Sequence, residues 1–370
     1  MTGKDKKRLV NISVLLYFIF LILTNQLEHY VVFIAFYASL LLCGIVGLYT
    51  NGFHLSIKKI ILILLLIITA CLNLILVGNA TIKHLIYICL FAFASLSFIS
   101  KELEEKTLLI AFALNVIVIV YKLVIYGPYS DLLFTSSTRN FVSVYLMYPI
   151  VLYYSIIGGK NKEINMTPAL IVWAICLWAR GRGGIIVSTI LVVGVLFAKY
   201  KKMRSINKTV ISLVVVAIIA LFMINIGPLM KKIESFEFME LFAKNQMGSS
   251  RLKFWPEYIE LATTNTKNFL LGANISNTYF GRYLEGNPHN SFMELHMLNG
   301  FVGLLAIFLL LIKNGIQSIK NKNYLFLVCM LTMLLRAFTD HVLWAAFGTP
   351  ILFYFIFYYT PERINRIDNT

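Results

Sequence analysis

Runs of about twenty mostly apolar residues, each closed by a short charged or turn-rich break, recur along nearly the whole of this 370-residue chain. At 1.5 Å per helical residue such a run matches the roughly 30 Å hydrocarbon core of a bilayer. In that medium the backbone must satisfy its own hydrogen bonds, so these runs are expected to be membrane-spanning helices. Twelve are read, near residues 9–25, 29–50, 59–78, 82–100, 107–127, 139–157, 166–180, 183–199, 208–228, 291–312, 324–340 and 342–360. The seventh and eighth are short, separated only by Gly181, Arg182, Gly183 and Gly184. Charged residues make up 14% against 59% hydrophobic, where a soluble domain carries about a quarter charged. Disorder is excluded by this low charge density. The 21 Gly and 5 Cys exclude a collagen-like or disulfide scaffold, and the apolar excess excludes a soluble nucleic-acid binder despite a net charge of +16. The expected fold is an all-α polytopic membrane protein.

Lysine and arginine mark the cytoplasmic connections. Lys4, Lys6, Lys7 and Arg8, then Lys58/Lys59, Lys101/Lys106, Lys160/Lys162, the run Lys199 to Lys208, Lys313/Lys320/Lys322 and Arg363/Arg366 fall on alternate breaks. The short connections between them carry only Lys83, Arg139, Arg180 and Arg182. An even number of spans with both termini cytoplasmic follows. No small-residue cleavage site succeeds the first apolar run, which is read as an uncleaved span. Cys43, Cys71, Cys89, Cys176 and Cys329 all lie inside apolar segments without metal-binding spacing and are read as unpaired thiols. No internal repeat is evident, which weakens a transporter built on inverted halves.

The chain therefore reads as one integral membrane domain, 1–370, with a large outer loop at 229–290 between the ninth and tenth spans. Leu252, Trp255, Ile259 and Ala262 recur at helical spacing, with Ile233, Phe236 and Phe242 before them, so amphipathic helices on the outer membrane face are expected. A loop this long is usually functional. Gly227-Pro228 and Gly248 are its candidate hinges.

The choice of cation separates the two faces. Lysine dominates the cytoplasmic breaks, whereas the short outer connections favour arginine. A guanidinium fork binds phosphate oxygens in a bidentate manner, which an ammonium does not, so Arg139, Arg180 and Arg182 point to a phosphate-rich anionic ligand. Snorkelling to lipid headgroups is the alternative for any one of them. Arg336 lies within an apolar span, where a charge is functional or paired; Asp340, four residues on, is its natural partner. Where the loop enters the tenth span stand Asn287, Pro288, His289, Asn290, Ser291 and Glu294. His289 could serve as a general base, with Glu294 one turn beyond to orient the imidazole or hold a sugar hydroxyl. There is no HExxH or paired-cysteine zinc site, no GxSxG, no Walker loop and no DxD pair. A metal-independent mechanism without a cofactor is expected.

In this order the motifs resemble those of the O-antigen ligase and polymerase superfamily of bacterial polysaccharide enzymes. Arg139-Asn140 opens an apolar segment through Pro149; Ala179-Arg180-Gly181-Arg182-Gly183-Gly184 is similar to the family's SRG-type motif; Ser250-Arg251 with Trp255 and Leu271-Gly272 resembles its large-loop pattern; and His289-Asn290-Ser291 through Glu294, Gly300 and Gly303 resembles its HN-and-glycine motif. Ala179 stands where that family usually has Ser, and Ala273-Asn274 follows Leu271-Gly272 where a further glycine is usual.

The resemblance implies a GT-C-like enzyme of the bacterial cytoplasmic membrane, its active site on the outer face. It would move a glycan from an undecaprenyl-pyrophosphate-linked oligosaccharide donor to a glycan acceptor, with pyrophosphate leaving. By the same carry-over Arg180 and Arg251 match the family's motif arginines and His289 its loop histidine, giving catalytic roles to these three. Arg139, Asn140, Arg182, Asn290, Glu294, Arg336 and Asp340 would position donor and acceptor. A repeat-unit polymerase is the leading expectation, working in the bilayer beside flippase and chain-length regulator proteins. A ligase delivering finished glycan to lipid A core or another acceptor shares the chemistry. A flippase or transporter, with Arg336, Asp340 and Lys122 lining its path, is the expectation from another class.

Overall fold

The computed structural model describes residues 2–27, 29–51, 56–128, 133–134, 139–160, 162–202, 251–283 and 286–359. Among them no strand occurs. The helices are α1 (Gly3–Thr24), α2 (Tyr30–Thr50), α3 (Ile57–Leu76), α4 (Ile82–Phe98), α5 (Glu105–Tyr126), α6 (Val142–Gly159), α7 (Thr167–Ala179), α8 (Arg182–Lys202), α9 (Arg251–Thr263), α10 (Thr266–Leu271), α11 (Tyr279–Tyr283), α12 (Ser291–Lys320), α13 (Tyr324–Thr339) and α14 (Thr349–Phe357). The expected ninth span, 208–228, lies outside the described residues, as do Gly227, Pro228 and Gly248 and the loop's Ile233, Phe236 and Phe242.

Among the described residues seven helices are long and apolar enough to cross a membrane: α1, α2, α3, α5, α6 with the 3-10 turn Arg139–Phe141 that leads into it, α8 and α12. Helices α4, α7 and α13 are apolar but span only 17, 13 and 16 residues. The last expected segment, 342–360, is helical only from Thr349. The reason is local: the Ser291 hydroxyl accepts the Val342 and Leu343 amides at 2.9 and 3.1 Å, so they are bound outside any helix, and Pro350 sets the helix start one residue in.

Large apolar side chains cover the outside, with Ile75 77%, Val124 67%, Ile117 64% and Ile34 62% exposed. In water such a surface would aggregate; against lipid it is the ordinary exterior. Helix α6 is the exception. Every residue from Val142 to Ile157 is buried, and α5, α7, α8 and α13 pack around it. A helix apolar on all sides belongs at the centre of a bundle. Small residues bring other helices close: a Cβ on Gly47 of α2 would meet the backbone of Leu96 and Ser97 in α4.

One end of the bundle is closed by lysines. Lys7 pairs with Glu104 at 2.7 Å, Lys162 with Glu105 at 3.0 Å, and the Lys202 ammonium donates to the Lys162 carbonyl at 3.3 Å. At the other end, residues 251–283 dock on α3 and α12. Asn73 Nδ2 donates to the carbonyls of Leu271 and Met297, Asn79 Nδ2 to that of Ala273 at 2.6 Å, and Asn274 Nδ2 to that of Val77 at 2.8 Å. Helix α12 breaks at Gly300, whose φ of 62° is left-handed and whose absent Cβ leaves room for the Leu270 carbonyl. Helix α9 forms where the apolar spacing predicts it, but its buried stripe is Trp255, Tyr258 and Ala262. Ile259, expected on that stripe, is 57% exposed, because Tyr258 takes the inward position. All five cysteines are free thiols.

Candidate functional site

The residues singled out in the sequence gather at the end of the bundle opposite the lysines, around a buried guanidinium. Arg336, on the last turn of α13, is 1% exposed. Its Nη2 donates to the Asn140 carbonyl at 3.1 Å and to Asp340 Oδ2 at 3.2 Å, its Nη1 to Thr339 Oγ at 3.2 Å and its Nε to Ser143 Oγ at 3.4 Å. The Phe141 ring lies 5.7 Å from it. The sequence pairs Arg336 with Asp340 along a helix; the structure forms the pair across the helix end, since α13 stops at Thr339 and Asp340 is its extended C-cap. Buried and bound on several sides, Arg336 holds Asp340 in place.

Asp340 Oδ1 accepts the His341 backbone amide at 3.0 Å and lies 3.3 Å from His289 Nδ1. A carboxylate only accepts, so Nδ1 carries the proton of the neutral ring and Nε2 keeps its lone pair. The His289 side chain is 37% exposed, while that of Asp340 is only 5% exposed.

The motif Asn287 to Ser291 is the device that holds this ring. Asn287 Oδ1 accepts the His289 amide at 2.8 Å. The Pro288 carbonyl accepts Trp255 Nε1 at 2.9 Å, fastening α9 to the turn, and Trp255 stacks edge-on with Phe338 at 5.4 Å. His289 itself has φ 47°, a left-handed conformation that costs a non-glycine residue roughly 1–2 kcal/mol and recurs at functional sites. Asn290, expected to position substrate, is 3% exposed and caps α12, its Oδ1 accepting the Phe292 and Met293 amides. The Ser291 hydroxyl donates to the Asp340 carbonyl at 3.0 Å.

Glu294 does not orient His289. Its carboxylate lies 2.7 Å from His341 Nε2, a pairing that the sequence spacing gave no reason to expect. The same nitrogen lies 2.6 Å from the Trp344 carbonyl. Burial disfavours the His341 imidazolium, but Glu294 outweighs it, and His341 titrates above its ordinary value.

The remaining arginines frame this core. Arg139 and Asn140, both half-buried, form the turn before α6. Arg180, exposed, is the left-handed C-cap of α7 with φ 52°, and Arg182, half-buried, opens α8. A Cβ on Gly181 would lie 3.1 Å from the Arg139 carbonyl and 3.3 Å from Asn140 Cα, so the Arg180–Arg182 turn rests on the Arg139–Asn140 backbone. Arg251 stands at the first position of α9, one turn before Trp255; its side chain lies outside the described residues. Lys122 is one turn from the end of α5, its ammonium 5.1 Å from the Tyr126 ring.

Chemically, the arrangement offers a histidine with a carboxylate behind it, cationic segments beside it, and a floor held by a buried ion pair. Among the described residues no group of histidines, cysteines and carboxylates could hold a metal ion. No family model matches the chain, and no curated protein matches it.

Proposed function

We propose that this chain is a membrane glycosyltransferase that uses a polyprenyl-pyrophosphate-linked glycan as donor, and within that class a repeat-unit polymerase. The observation that carries the reading is the Asp340–His289 pair: Nδ1 is engaged at 3.3 Å by a buried carboxylate, which leaves Nε2 on a partly exposed ring as a base. His289 Nε2 takes the proton of the acceptor hydroxyl as that oxygen bonds to the anomeric carbon. The bond from that carbon to the pyrophosphate oxygen breaks, and its electron pair leaves with the pyrophosphate. Asp340 steadies the imidazolium formed. Arg180 and Arg251, with Arg139 and Arg182, meet the negative charge that develops on the leaving group. Resemblance to the O-antigen polymerase and ligase superfamily over residues 139–310 supports the same assignment.

On this reading twelve spans cross a bacterial cytoplasmic membrane with both termini inside, and the 229–290 loop lies on the outer face. A ligase would run the same chemistry with a different acceptor. Protein purified in nanodiscs and supplied with lipid-linked repeat units should build a ladder of longer chains, whereas folded His289→Ala and Arg251→Ala proteins should not. Normal ladders from both variants would sink the assignment. Transfer of one finished glycan to lipid A core, with no ladder, would select the ligase, and passage of the substrate across vesicles with no new glycosidic bond would select a flippase.

A further inference from the structure

One peptide plane joins Pro288 to His289, and two side chains hold both of its polar ends. Trp255 Nε1 donates to the Pro288 carbonyl at 2.9 Å, and Asn287 Oδ1 accepts the His289 amide at 2.8 Å. In a trans peptide these two groups point in opposite directions, so the plane is gripped from two sides. The orientation of such a plane is set by ψ of the residue before it and φ of the residue after it. With the plane held, the φ of 47° at His289 is held as well. Released, a non-glycine residue leaves the left-handed region for the extended or right-handed ones.

The two grips differ in origin. Asn287 acts on its own turn, as Asn does in many loops. Trp255 is 33 residues away from Pro288 and reaches it from α9, where it is half-buried. Helix α9 is itself fixed by Tyr258, whose hydroxyl lies 2.6 Å from His296 Nδ1 on α12. The Trp255 ring meets Phe338, two residues before Asp340, edge-on at 5.4 Å. At a membrane–water interface an indole ordinarily turns its N–H to water or headgroups. This one is committed to a protein carbonyl beside the proposed base.

The His289 ring has little tolerance for movement. Its Nδ1 lies 3.3 Å from Asp340 Oδ1, at the long end of the hydrogen-bond range, so a displacement of about 1 Å breaks the contact. We infer that Trp255 is a positioning residue: its indole N–H, by holding the Pro288 carbonyl, keeps the His289 imidazole on Asp340. The catalytic consequence rests on the glycosyl-transfer reading, in which the competence of the base then depends on the docking of α9.

The test compares full-length wild type in lipid bilayers with Trp255→Phe, and with a protein carrying benzothienylalanine at position 255. The latter keeps the size of the ring and replaces only its N–H by sulfur, so it keeps the test decisive where Trp255→Phe fails to fold. The first readout needs no substrate: solid-state nitrogen NMR of protein isotope-labelled at its six histidines, the His289 signals being identified by their loss in His289→Gln. Wild type should show His289 as the Nδ1–H tautomer, and both variants should show the tautomer mixture of an unrestrained imidazole. The second readout is transfer from lipid-linked repeat units of the source organism. There kcat should fall roughly a hundredfold, as for a misplacement of about 1 Å, with KM for the acceptor unchanged. An unchanged His289 tautomer in the folded benzothienylalanine protein overturns the proposal, as does a raised KM at unchanged kcat, which would make Trp255 a substrate contact. Wild-type transfer that both variants match overturns the positioning role and leaves the transferase reading intact. A tautomer change in the variants with no transfer by wild type keeps the positioning of His289 and refutes the transferase reading.

Discussion

Replacing Asp340 with Leu would leave the Arg336 guanidinium, 1% exposed, without its counter-charge in a low-dielectric interior. Removing one member of a buried ion pair costs about 3–5 kcal/mol, because the remaining charge is uncompensated. Arg336→Met should cost a similar amount, since it abandons Asp340 and frees the Asn140 carbonyl that accepts from Nη2 at 3.1 Å. In Arg336→Met/Asp340→Leu both charges are gone, and the residual loss is chiefly that carbonyl, about 1–3 kcal/mol for an unsatisfied buried group. The two single losses sum to about 6–10 kcal/mol, so the cycle should show a coupling of about 3 kcal/mol or more. Reversible SDS unfolding of the purified protein, with wild type, both singles and the double in the same lipid mixture, measures it. Single losses below about 1 kcal/mol that simply add would mean that the pair behaves as an exposed salt bridge. The account of Arg336 as the floor of the site would then be wrong, whatever the protein's activity.

Two further outcomes concern the rest of this end of the bundle. His341 titrates above its ordinary value of 6.5 because of Glu294, so the pair's contribution is fully present below pH 6.5 and is lost as pH rises through the higher folded-state value. Wild-type protein should lose stability relative to Glu294→Gln as pH rises above 6.5, and parallel pH profiles for the two would refute the pairing. Gly300→Ala forces a side chain into a φ of 62° and against the Leu270 carbonyl. A loss of about 1–3 kcal/mol is expected from the strain, together with faster proteolysis of residues 260–283; an unaltered cleavage pattern would show that the break at Gly300 does not seat that segment.

The membrane class of the fold is legible residue by residue in the hydropathy pattern, because a bilayer imposes nearly the same requirement on every crossing segment. Helix α9 is legible for a related reason: Trp255 and Ala262 recur at the helical period. Which residue of that helix points inward is not, since Tyr258 rather than Ile259 is taken up by His296 and packs with Ala273. The partition of roles among polar residues is even less legible. Asn290 and Glu294 have the same chemistry whether they meet a ligand or the protein, and only packing commits the first to a helix cap and the second to His341.

Spacing within one segment sets what the sequence by itself determined: apolar helices, the lysine-rich face, the Arg336–Asp340 pairing and the candidate set at the opposite end. Contacts between segments far apart in the chain were decided only by the tertiary structure. These include the 49-residue reach from Ser291 to Asp340, the seating of Arg336 on Asn140, and the approach of Asp340 to His289. The physical reason is that a hydropathy period reports how a helix meets its solvent, whereas a hydrogen bond between helices depends on the rotation and depth of both, which no local period encodes.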